Sequence, residues 1–363
     1  MARVTDAAAS DPRVRARLDR ALGHLTLDRP RAINALDVGM IERLAEALDG
    51  WEHDPGVDAV LLDGAGERGL CAGGDVRGLY DQIVAGDVAE TAHFFRAEYA
   101  LNARIASYPK PIVVFADGVT MGGGIGLAGH AAVRVVTERS RLAMPEVRIG
   151  FTPDVGGSLL LARAPGRTGE YLALTGESMD AADAIYAGFA DHLVPADRLG
   201  DLREALVSRA DPQTATELVL LFDETAGPSR LESARPWIDE TFSAGTVEEI
   251  LRRLRGRAEP EAHATADLLD TLPPTALAVT LAAVRRAREQ NDLRAVLAQE
   301  YGLVLWFATT QPDLVEGIRA RLVDKDGAPS WSPSSRNALA PDIVEQAFAF
   351  VPEPALWAGD PSR

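Results

Sequence analysis

The chain of 363 residues contains one cysteine, Cys71, and lysine at only two positions, Lys110 and Lys325. A single cysteine cannot form an internal disulfide and cannot build a cysteine-based metal site. The six histidines show no metal-ligand spacing, so we expect no metal ion. The scarcity of lysine leaves arginine to supply nearly all of the positive charge.

Long apolar runs are also absent. No run approaches the roughly 20 apolar residues that a transmembrane helix needs, and residues 1–6 contain no apolar segment of a secretion signal. Asp6, Asp11 and Asp19 argue against an acid-poor transit peptide. We therefore expect a cytoplasmic protein that acts away from the membrane.

Acidic residues outnumber basic ones, 54 against 37, and give a formal net charge of -17. Such an acidic protein is poorly suited to bind nucleic acid or an anionic membrane surface. Any polyanionic ligand must therefore find a local basic patch on this chain.

Apolar patterning predicts an α/β part that ends near residue 197. Residues 13–27 alternate as a hairpin, and a 3.6-residue period after Asp37 predicts a helix over 38–52. Buried strands are predicted at 59–62, 112–116, 131–137 and 141–144, and a further helix at 91–107. Strands that alternate with helices indicate α/β layers with crossover connections.

From residue 198 onward the strand signals nearly vanish and helical periodicity dominates. The predicted helices are 199–210, 214–222, 246–255, 275–290 and 292–308, with a polar break over 257–261. The chain is accordingly divided into a catalytic core, residues 1–197, and a helical C-terminal region, residues 198–363.

Two glycine turns follow predicted strands, one at Gly73 and Gly74 and the other over 122–126. Backbone without a Cβ can bring its N–H groups against a ligand carbonyl. A helix that begins at such a turn directs unpaired N–H groups to the same place. Because an oxyanion hole needs two converging donors, Gly74 and Gly123 are the candidates. Close packing of a helix on a sheet would account for some of the same glycines.

Residues 124–129 also match the G-x-G-x-x-G pattern of dinucleotide-binding folds, with Glu138 near the position of the acidic residue. A dinucleotide fold needs a tight strand-to-helix turn at the first glycine. Here the first glycine follows the predicted strand by several residues, so nucleotide binding of this kind is the less favoured interpretation.

Two carboxylates, Glu146 and Asp154, follow the second glycine turn, and Glu98 lies in the predicted helix 91–107. A carboxylate beside an oxyanion hole can serve as a general base or as a nucleophile. Each acid also has an ordinary structural interpretation. Glu146 could be a solvated loop acid, Asp154 a helix N-cap and Glu98 an exposed helix charge.

Together these motifs resemble the crotonase (enoyl-CoA hydratase/isomerase) superfamily, through segments 29–36, 71–75, 111–113 and 121–124. Within that superfamily the chain is most similar to the 3-hydroxyisobutyryl-CoA hydrolases. The segments that carry this similarity are 95–99, 144–146, 149–150, 153–157, 300–301, 316–320, 322–326 and 331–333. The resemblance covers roughly residues 14 to 350.

The resemblance implies an α/β fold with a crotonase-like ββα spiral core and a C-terminal helical region. It assigns the oxyanion-hole N–H groups to Gly74 and Gly123 and the catalytic carboxylate to Glu146. It also implies that Glu98 and Asp154 contact the substrate.

The resemblance further implies that the adenine and pantetheine of CoA lie against backbone near Leu70, Cys71 and Ala72. Arg31 and Arg77 flank the two motif loops and are candidates to hold the CoA phosphates. CoA is part of the substrate, so no separate cofactor is expected, and the expected partner is an acyl-CoA. A homo-oligomer is left open, because the helical region could occupy the surface through which the superfamily often assembles.

The chain departs from the hydratases of the superfamily at Gly126, where those enzymes carry a second catalytic glutamate. Adding water to a double bond calls for two positioned acid–base groups, whereas hydrolysis needs one carboxylate and an oxyanion hole. The chain has no G-x-S-x-G elbow for a serine nucleophile. The family's Phe-Pro-Asp reads Thr152-Pro153-Asp154 here, which leaves the acyl preference open.

The sequence therefore predicts hydrolysis of the thioester of 3-hydroxyisobutyryl-CoA, or of a close 3-hydroxyacyl-CoA, in valine catabolism. Glu146 would either attack the carbonyl to give a mixed anhydride or act as general base on water, and both routes remain open. The alternative is an enoyl-CoA hydratase or isomerase, since isomerisation can proceed with one base. A non-catalytic acyl-CoA-binding protein is the third interpretation, against which the presence of all three acids argues.

Overall fold

The computed structural model describes residues 13–209 and 215–359. Its strands are β1 (Val14–Asp19), β2 (Leu22–Leu27), β3 (Ala59–Gly64), β4 (Ile112–Phe115), β5 (Val119–Met121), β6 (Val133–Val136), β7 (Arg141–Ala143) and β8 (His192–Leu193). One sheet has the order β1-β2-β3-β4-β6-β8, and β5 pairs with β7 in a second sheet. The β1–β2 hairpin is antiparallel and the other strand pairs are parallel.

The helices of the first part are α1 (Val38–Glu52), α2 (Val76–Ala85), α3 (Val88–Ala106), α4 (Gly123–Ala128), α5 (Gly157–Arg163), α6 (Thr168–Thr175) and α7 (Ala181–Tyr186). Those that follow are α8 (Leu199–Ser208), α9 (Ala215–Leu220), α10 (Arg230–Phe242), α11 (Val247–Arg255), α12 (Pro260–Asp270), α13 (Pro274–Glu289), α14 (Leu293–Thr310), α15 (Asp313–Ile318) and α16 (Ile343–Ala349). The predicted α/β class is confirmed.

Most predicted elements are confirmed, with ends that shift by up to three residues. The hairpin pairs Val14 with Leu27. Helix α1 begins after Asp37, whose carboxylate accepts a hydrogen bond from Met40 N at 3.1 Å. The predicted ends at residues 210 and 214 lie outside the described residues. Strands β5 and β8, three and two residues long, were not predicted.

The predicted break between two helices at 257–261 is wrong. The polar segment 257–261 was predicted as a connection, whereas α12 already begins at Pro260. Proline is favoured at the first helical position, because its missing N–H would have no partner there and its φ is already helical. Helices α2, α6, α7, α10, α15 and α16 were also not predicted, and α5 was considered only through Asp154 as a possible N-cap.

Both faces of the six-stranded sheet are covered, which accounts for the unbroken apolar runs of its central strands. Along β3, Val60 and Leu62 pack with α1 and α3 on one face. Ala59 and Leu61 pack with α8 and α9 on the other face. The alternation along one strand follows from the two-residue period of side chains in a sheet.

The hydrophobic core continues across the predicted boundary at residue 197. Phe151 packs against Phe307 of α14 with ring centroids 5.9 Å apart, and α13 lies against α5 and α6. The division into two domains therefore stays a prediction. Among the described helices, none is by itself long and apolar enough to cross a membrane, and only α12 and α13, bent by 118°, reach that length and composition as a pair.

The short β7 strand should carry a large share of local stability, because Leu142 at its centre is 0% exposed. Leu142→Ala is expected to lower the free energy of unfolding by about 2–5 kcal/mol, through lost burial and a residual cavity. Leu221→Ala is the matched control, since Leu221 is 75% exposed and its loss should change stability by no more than about 0.5 kcal/mol. Urea titration followed by circular dichroism measures both, and equal effects would contradict this description of the core.

Candidate functional site

The site lies at the edge where parallel backbone segments end. Cys71 forms a parallel bridge with Thr120 of β5, and β5 in turn pairs in parallel with β7. Parallel segments present their carboxyl ends on the same side. The residues that follow them, Gly74, Gly123 and Glu146, therefore meet, and all three line one cavity of about 290 Å³.

The backbone amides of Gly74 and Gly123 face the same space. A Cβ built on Gly123 would lie 3.3 Å from Gly74 N, so only bare backbone keeps that space open. Gly123 is the first residue of α4, where an N–H has no partner within the helix. No backbone carbonyl among the described residues accepts a hydrogen bond from either amide. Both N–H groups thus lie close together at the cavity without a backbone acceptor among the described residues.

The neighbouring glycine backbone also allows two carboxylates to approach. A Cβ on Gly122 would lie 2.9 Å from Glu146 Oε1, and a Cβ on Gly123 would overlap Glu98 Oε1. Gly122 also has a backbone φ of +48°, a conformation that residues other than glycine rarely adopt. The packing interpretation holds for Gly124, whose Cβ would lie 2.5 Å from the Cys71 carbonyl oxygen.

The three predicted acids line the same cavity, and their ordinary structural interpretations are wrong. Glu98 is 2% exposed, Glu146 7% and Asp154 6%, so none is a solvated surface charge. Helix α5 has Gly156 at its N-cap position and no side-chain cap. Asp154 instead accepts a hydrogen bond from the Tyr99 hydroxyl through Oδ2 at 2.8 Å.

Burial sets the protonation of these acids. Burial, and after it the charge of Asp154, raises the pKa of Glu98 and of Glu146 well above the usual range of glutamate. Burial raises the pKa of Asp154 to about 7, against the lowering effect of the Tyr99 hydroxyl. Like charges that are packed together in an apolar cavity resist simultaneous ionisation. Burial and the neighbouring acids therefore both oppose the ionisation of each carboxylate in the cluster.

A fourth buried acid, Glu300 of α14, lies behind the cavity and is 0% exposed. Its carboxylate accepts hydrogen bonds from Gly156 N at 2.6 Å and Ser158 N at 3.0 Å, and also from the Ser158 hydroxyl. Burial raises its pKa to about 8. In the sequence, Glu300 stands out only as part of a segment that carries the family resemblance. No local pattern predicts a contact between residues 144 positions apart.

Two arginines that sequence reasoning missed also line the cavity, Arg148 and Arg321. Arg148 belongs to the 3₁₀ turn that starts at Glu146, and its Nε donates to Thr175 O at 2.7 Å. Arg321 belongs to a π-helical turn after α15, and its Nε donates to Arg148 O at 3.0 Å. These two guanidinium groups place positive charge at the cavity of an otherwise acidic protein.

The residues predicted to hold CoA have mixed positions. Ala72 lines the cavity, whereas Leu70 and Cys71 are buried and the N–H and C=O of Cys71 both pair with residues of β5. Arg31 and Arg77 are exposed and do not line the cavity. The assignment of these five residues to CoA stays a prediction.

Neither a dinucleotide turn nor a metal site, neither of which the sequence favoured, is found in the described part of the chain. Gly124, the first glycine of the G-x-G-x-x-G pattern, lies inside α4, so the pattern does not form the turn of a dinucleotide fold. Within residues 13–209 and 215–359, no group of three or more His, Cys, Asp or Glu side chains is arranged to hold a metal ion.

A family model described as enoyl-CoA hydratase/isomerase matches residues 22–348. The chain therefore belongs to the enoyl-CoA hydratase/isomerase, or crotonase, family. Its relatives include the mitochondrial 3-hydroxyisobutyryl-CoA hydrolase of Rattus norvegicus, 39% identical over 90% of this chain and 86% of the relative. The 3-hydroxyisobutyryl-CoA hydrolase 1 of Arabidopsis thaliana is 39% identical over 90% of this chain and 89% of the relative. The resemblance inferred from sequence is confirmed.

Solved structures confirm the crotonase fold and carry other names. A carnitinyl-CoA dehydratase from Mycobacterium thermoresistibile is 46% identical, with a TM-score of 0.90 over 95% of this chain and 98% of that one. An enoyl-CoA hydratase from Rhodobacter sphaeroides 2.4.1 is 43% identical, with a TM-score of 0.88 over 95% and 99%. The vertebrate hydrolases are named mitochondrial, so the predicted cytoplasmic location is not confirmed.

The coupling between the acids gives a pH prediction for Asp154→Asn. The charge of Asp154 is a cause of the raised pKa of Glu146, second only to burial. Without that charge Glu146 should lose its proton at lower pH, and ionised carboxylate is the reactive form of a base or nucleophile. The acid limb of kcat/KM for acyl-CoA turnover should therefore move to lower pH. Asp183→Asn, which alters a buried acid that does not line the cavity, should leave the limb in place; an unmoved limb in Asp154→Asn would contradict the coupling.

Proposed function

We propose that the protein hydrolyses the thioester of 3-hydroxyisobutyryl-CoA, or of a close 3-hydroxyacyl-CoA, to the free acid and CoA, as a step of valine catabolism. The observation that carries the proposal is the meeting of two unpaired glycine amides with one buried carboxylate in a single cavity. The names of relatives that align over about 90% of the chain support the same reaction.

The thioester oxygen would lie between the N–H groups of Gly74 and Gly123. Negative charge develops on that oxygen as the carbonyl carbon becomes tetrahedral, and converging donors in a water-poor site stabilise it strongly. Loss of one such donor typically costs roughly 10²–10³ in rate. The apolar side chains that line the cavity, Phe94, Phe95 and Phe151 among them, would keep bulk water away from the reacting carbon.

Glu146 would act in one of two balanced ways. As nucleophile, its carboxylate oxygen bonds to the carbonyl carbon, the C–S bond breaks, CoA leaves as thiolate, and water then hydrolyses the anhydride. As general base, it takes a proton from water while the water oxygen attacks, and the proton passes to the departing sulfur. Glu146 Oε2 is buried and accepts no hydrogen bond from the described residues, which suits either role.

Gly126 argues for hydrolysis over hydration. A Cβ at this position would lie 2.7 Å from Asn102 Nδ2 and 2.8 Å from Val155 Cβ. The site therefore has no room for the second glutamate that the hydratases of the superfamily carry there. The absence of a carboxylate at this position favours a reaction that needs one catalytic carboxylate and an oxyanion hole.

Asp154 would accept a hydrogen bond from the 3-hydroxyl of the acyl group and so recognise it. Its Oδ2 accepts from Tyr99, which leaves capacity on the carboxylate for a second hydroxyl, and Glu98 would help to position that group. A buried site built to bind a hydroxyl rejects analogues that lack it, because its polar groups are then left without partners. Arg148 and Arg321 at the cavity would add to Arg31 and Arg77 as cations for the CoA phosphates.

Hydration or isomerisation of an enoyl-CoA is the second candidate. The names of the two solved structures at 46% and 43% identity favour it. Two further acids, Glu98 and Asp154, line the cavity and could supply the proton donor that Gly126 lacks. The two candidates differ in product, because only hydrolysis releases a free thiol.

Parallel assays separate the candidates. Thiol release would be followed with 3-hydroxyisobutyryl-CoA, 3-hydroxypropionyl-CoA and isobutyryl-CoA, and loss of the double bond with crotonyl-CoA. The proposal expects fast thiol release from the two hydroxyacyl substrates, slow release from isobutyryl-CoA and little hydration. Rapid loss of the crotonyl double bond without thiol release would refute hydrolysis and establish the second candidate.

Removal of the negative charge of Glu146 should slow turnover strongly. Glu146→Gln keeps the size of the side chain but removes its basicity, so kcat for thiol release should fall at least ~10²-fold. Glu170→Gln is the matched control, because Glu170 is 0% exposed yet does not line the cavity; it should change stability and leave kcat near the wild-type value. Turnover of Glu146→Gln at a near-wild-type rate would remove Glu146 from the mechanism.

A further inference from the structure

We propose that Glu300 and His130 are positioning residues that together clamp the turn over 154–158, so that Asp154 points into the cavity. Glu300 belongs to α14 in the helical region, and His130 lies just after α4. Neither side chain lines the cavity, so both would act through the turn. The proposal concerns the same site as the proposed function, and it rests on that function only for its substrate-selectivity readout.

The turn has a backbone conformation that needs external support. Val155 has a φ of +54°, although a β-branched residue is strongly disfavoured in the left-handed region. Gly156 follows with a φ of +77°. Residues in such conformations persist only where the surrounding structure fixes them, and they gather at functional sites. Asp154 is the residue immediately before this pair.

Glu300 fixes the turn through its N–H groups. One carboxylate oxygen accepts from Gly156 N at 2.6 Å, and the other accepts from Ser158 N at 3.0 Å and from the Ser158 hydroxyl. These donors lie at the start of α5, where N–H groups have no partners within the helix. Both oxygens of Glu300 are thereby committed to the turn.

His130 fixes the turn through its carbonyl. The ring Nε2 lies 2.8 Å from Val155 O, and because a carbonyl only accepts, Nε2 carries the proton. Burial lowers the pKa of His130 to about 4, so the ring is neutral at physiological pH and holds this tautomer. The ring also sets the packing of the turn, because a Cβ on Gly156 would lie 2.5 Å from Nε2.

The clamp gives the helical region a part in the chemistry. The same helix α14 packs against α3, which carries Glu98 and Tyr99, and the rings of Tyr99 and Tyr301 lie edge to face with centroids 6.4 Å apart. Tyr99 holds Asp154 from the front through its hydroxyl, and Glu300 holds the turn from behind. Asp154 is thus fixed between two helices that come from opposite sides of residue 197.

Glu300→Gln tests the clamp. Above pH 8, where the Glu300 carboxylate is ionised, both of its oxygens accept from the turn. An amide has one acceptor oxygen and one NH₂ group, so whichever way it turns, the NH₂ group faces an N–H donor of the turn. Misplacement of a positioned group by about 1 Å costs roughly 10²-fold in rate, so kcat/KM for 3-hydroxyisobutyryl-CoA should fall at least ~10-fold. The preference over isobutyryl-CoA should fall with it, because that substrate has no hydroxyl for Asp154 to read.

Two comparisons exclude a merely structural role for Glu300. Glu170→Gln, the buried control, should leave the ratio of kcat/KM between the two substrates unchanged. In the Asp154→Asn background, Glu300→Gln should cost no more than about 2-fold, because residues that act through one group are not additive. Equal losses for both substrates, or a full additive loss in that background, would overturn the proposal.

His130→Phe provides a second route if Glu300→Gln does not fold. It keeps the ring and removes the donor to Val155 O, so it should lower the same ratio by a smaller factor, and an unchanged ratio would exclude His130 from the clamp. The double-mutant comparison can be made with any acyl-CoA reaction that the wild-type protein catalyses. If wild-type hydrolysis is absent, the proposed function fails, while the dependence of Glu300 on Asp154 still decides the clamp.

Discussion

The site depends on the close approach of bare backbone and buried carboxylates. Gly122 and Gly123 leave room for Glu146 and Glu98, and the same missing side chains keep open the space in front of two amides. A parallel register from the loop after β3 through β5 to β7 brings these parts to one edge. A single methyl group at Gly123 would lie 3.3 Å from Gly74 N and would overlap Glu98 Oε1, so the same constraint fixes the amides and the acids.

The burial of these carboxylates changes their pKa values, which disfavours their charge but also suits them to proton transfer. Acids in a largely apolar cavity have raised pKa values, because burial disfavours their charge. A raised pKa brings a buried carboxylate towards the pH range in which it can accept or deliver a proton. Arg148 and Arg321 place positive charge at the cavity without neutralising the acids by direct ion pairs. The cavity thus carries positive as well as negative groups, although the formal net charge of the chain is -17.

The sequence predicted the parts of the site that depend on local pattern. Glycine turns after strands pointed to Gly74 and Gly123, and acids beside them to Glu146 and Asp154. It did not predict Glu300, because a contact that spans 144 positions exists only once α14 packs against α5. For the same reason the burial of Glu98 could not be predicted from its helix. A glutamate at that position of a helix is equally compatible with an exposed face.

The most direct test is a crystal structure of the protein with a non-hydrolysable ketone analogue of 3-hydroxyisobutyryl-CoA, in which a methylene group replaces the thioester sulfur. The account predicts the analogue's carbonyl oxygen about 2.7–3.1 Å from both Gly74 N and Gly123 N. It also predicts Glu146 beside the carbonyl carbon and the analogue's hydroxyl on Asp154. A carbonyl oxygen bound away from the two amides, with the acyl group outside the cavity, would contradict the account.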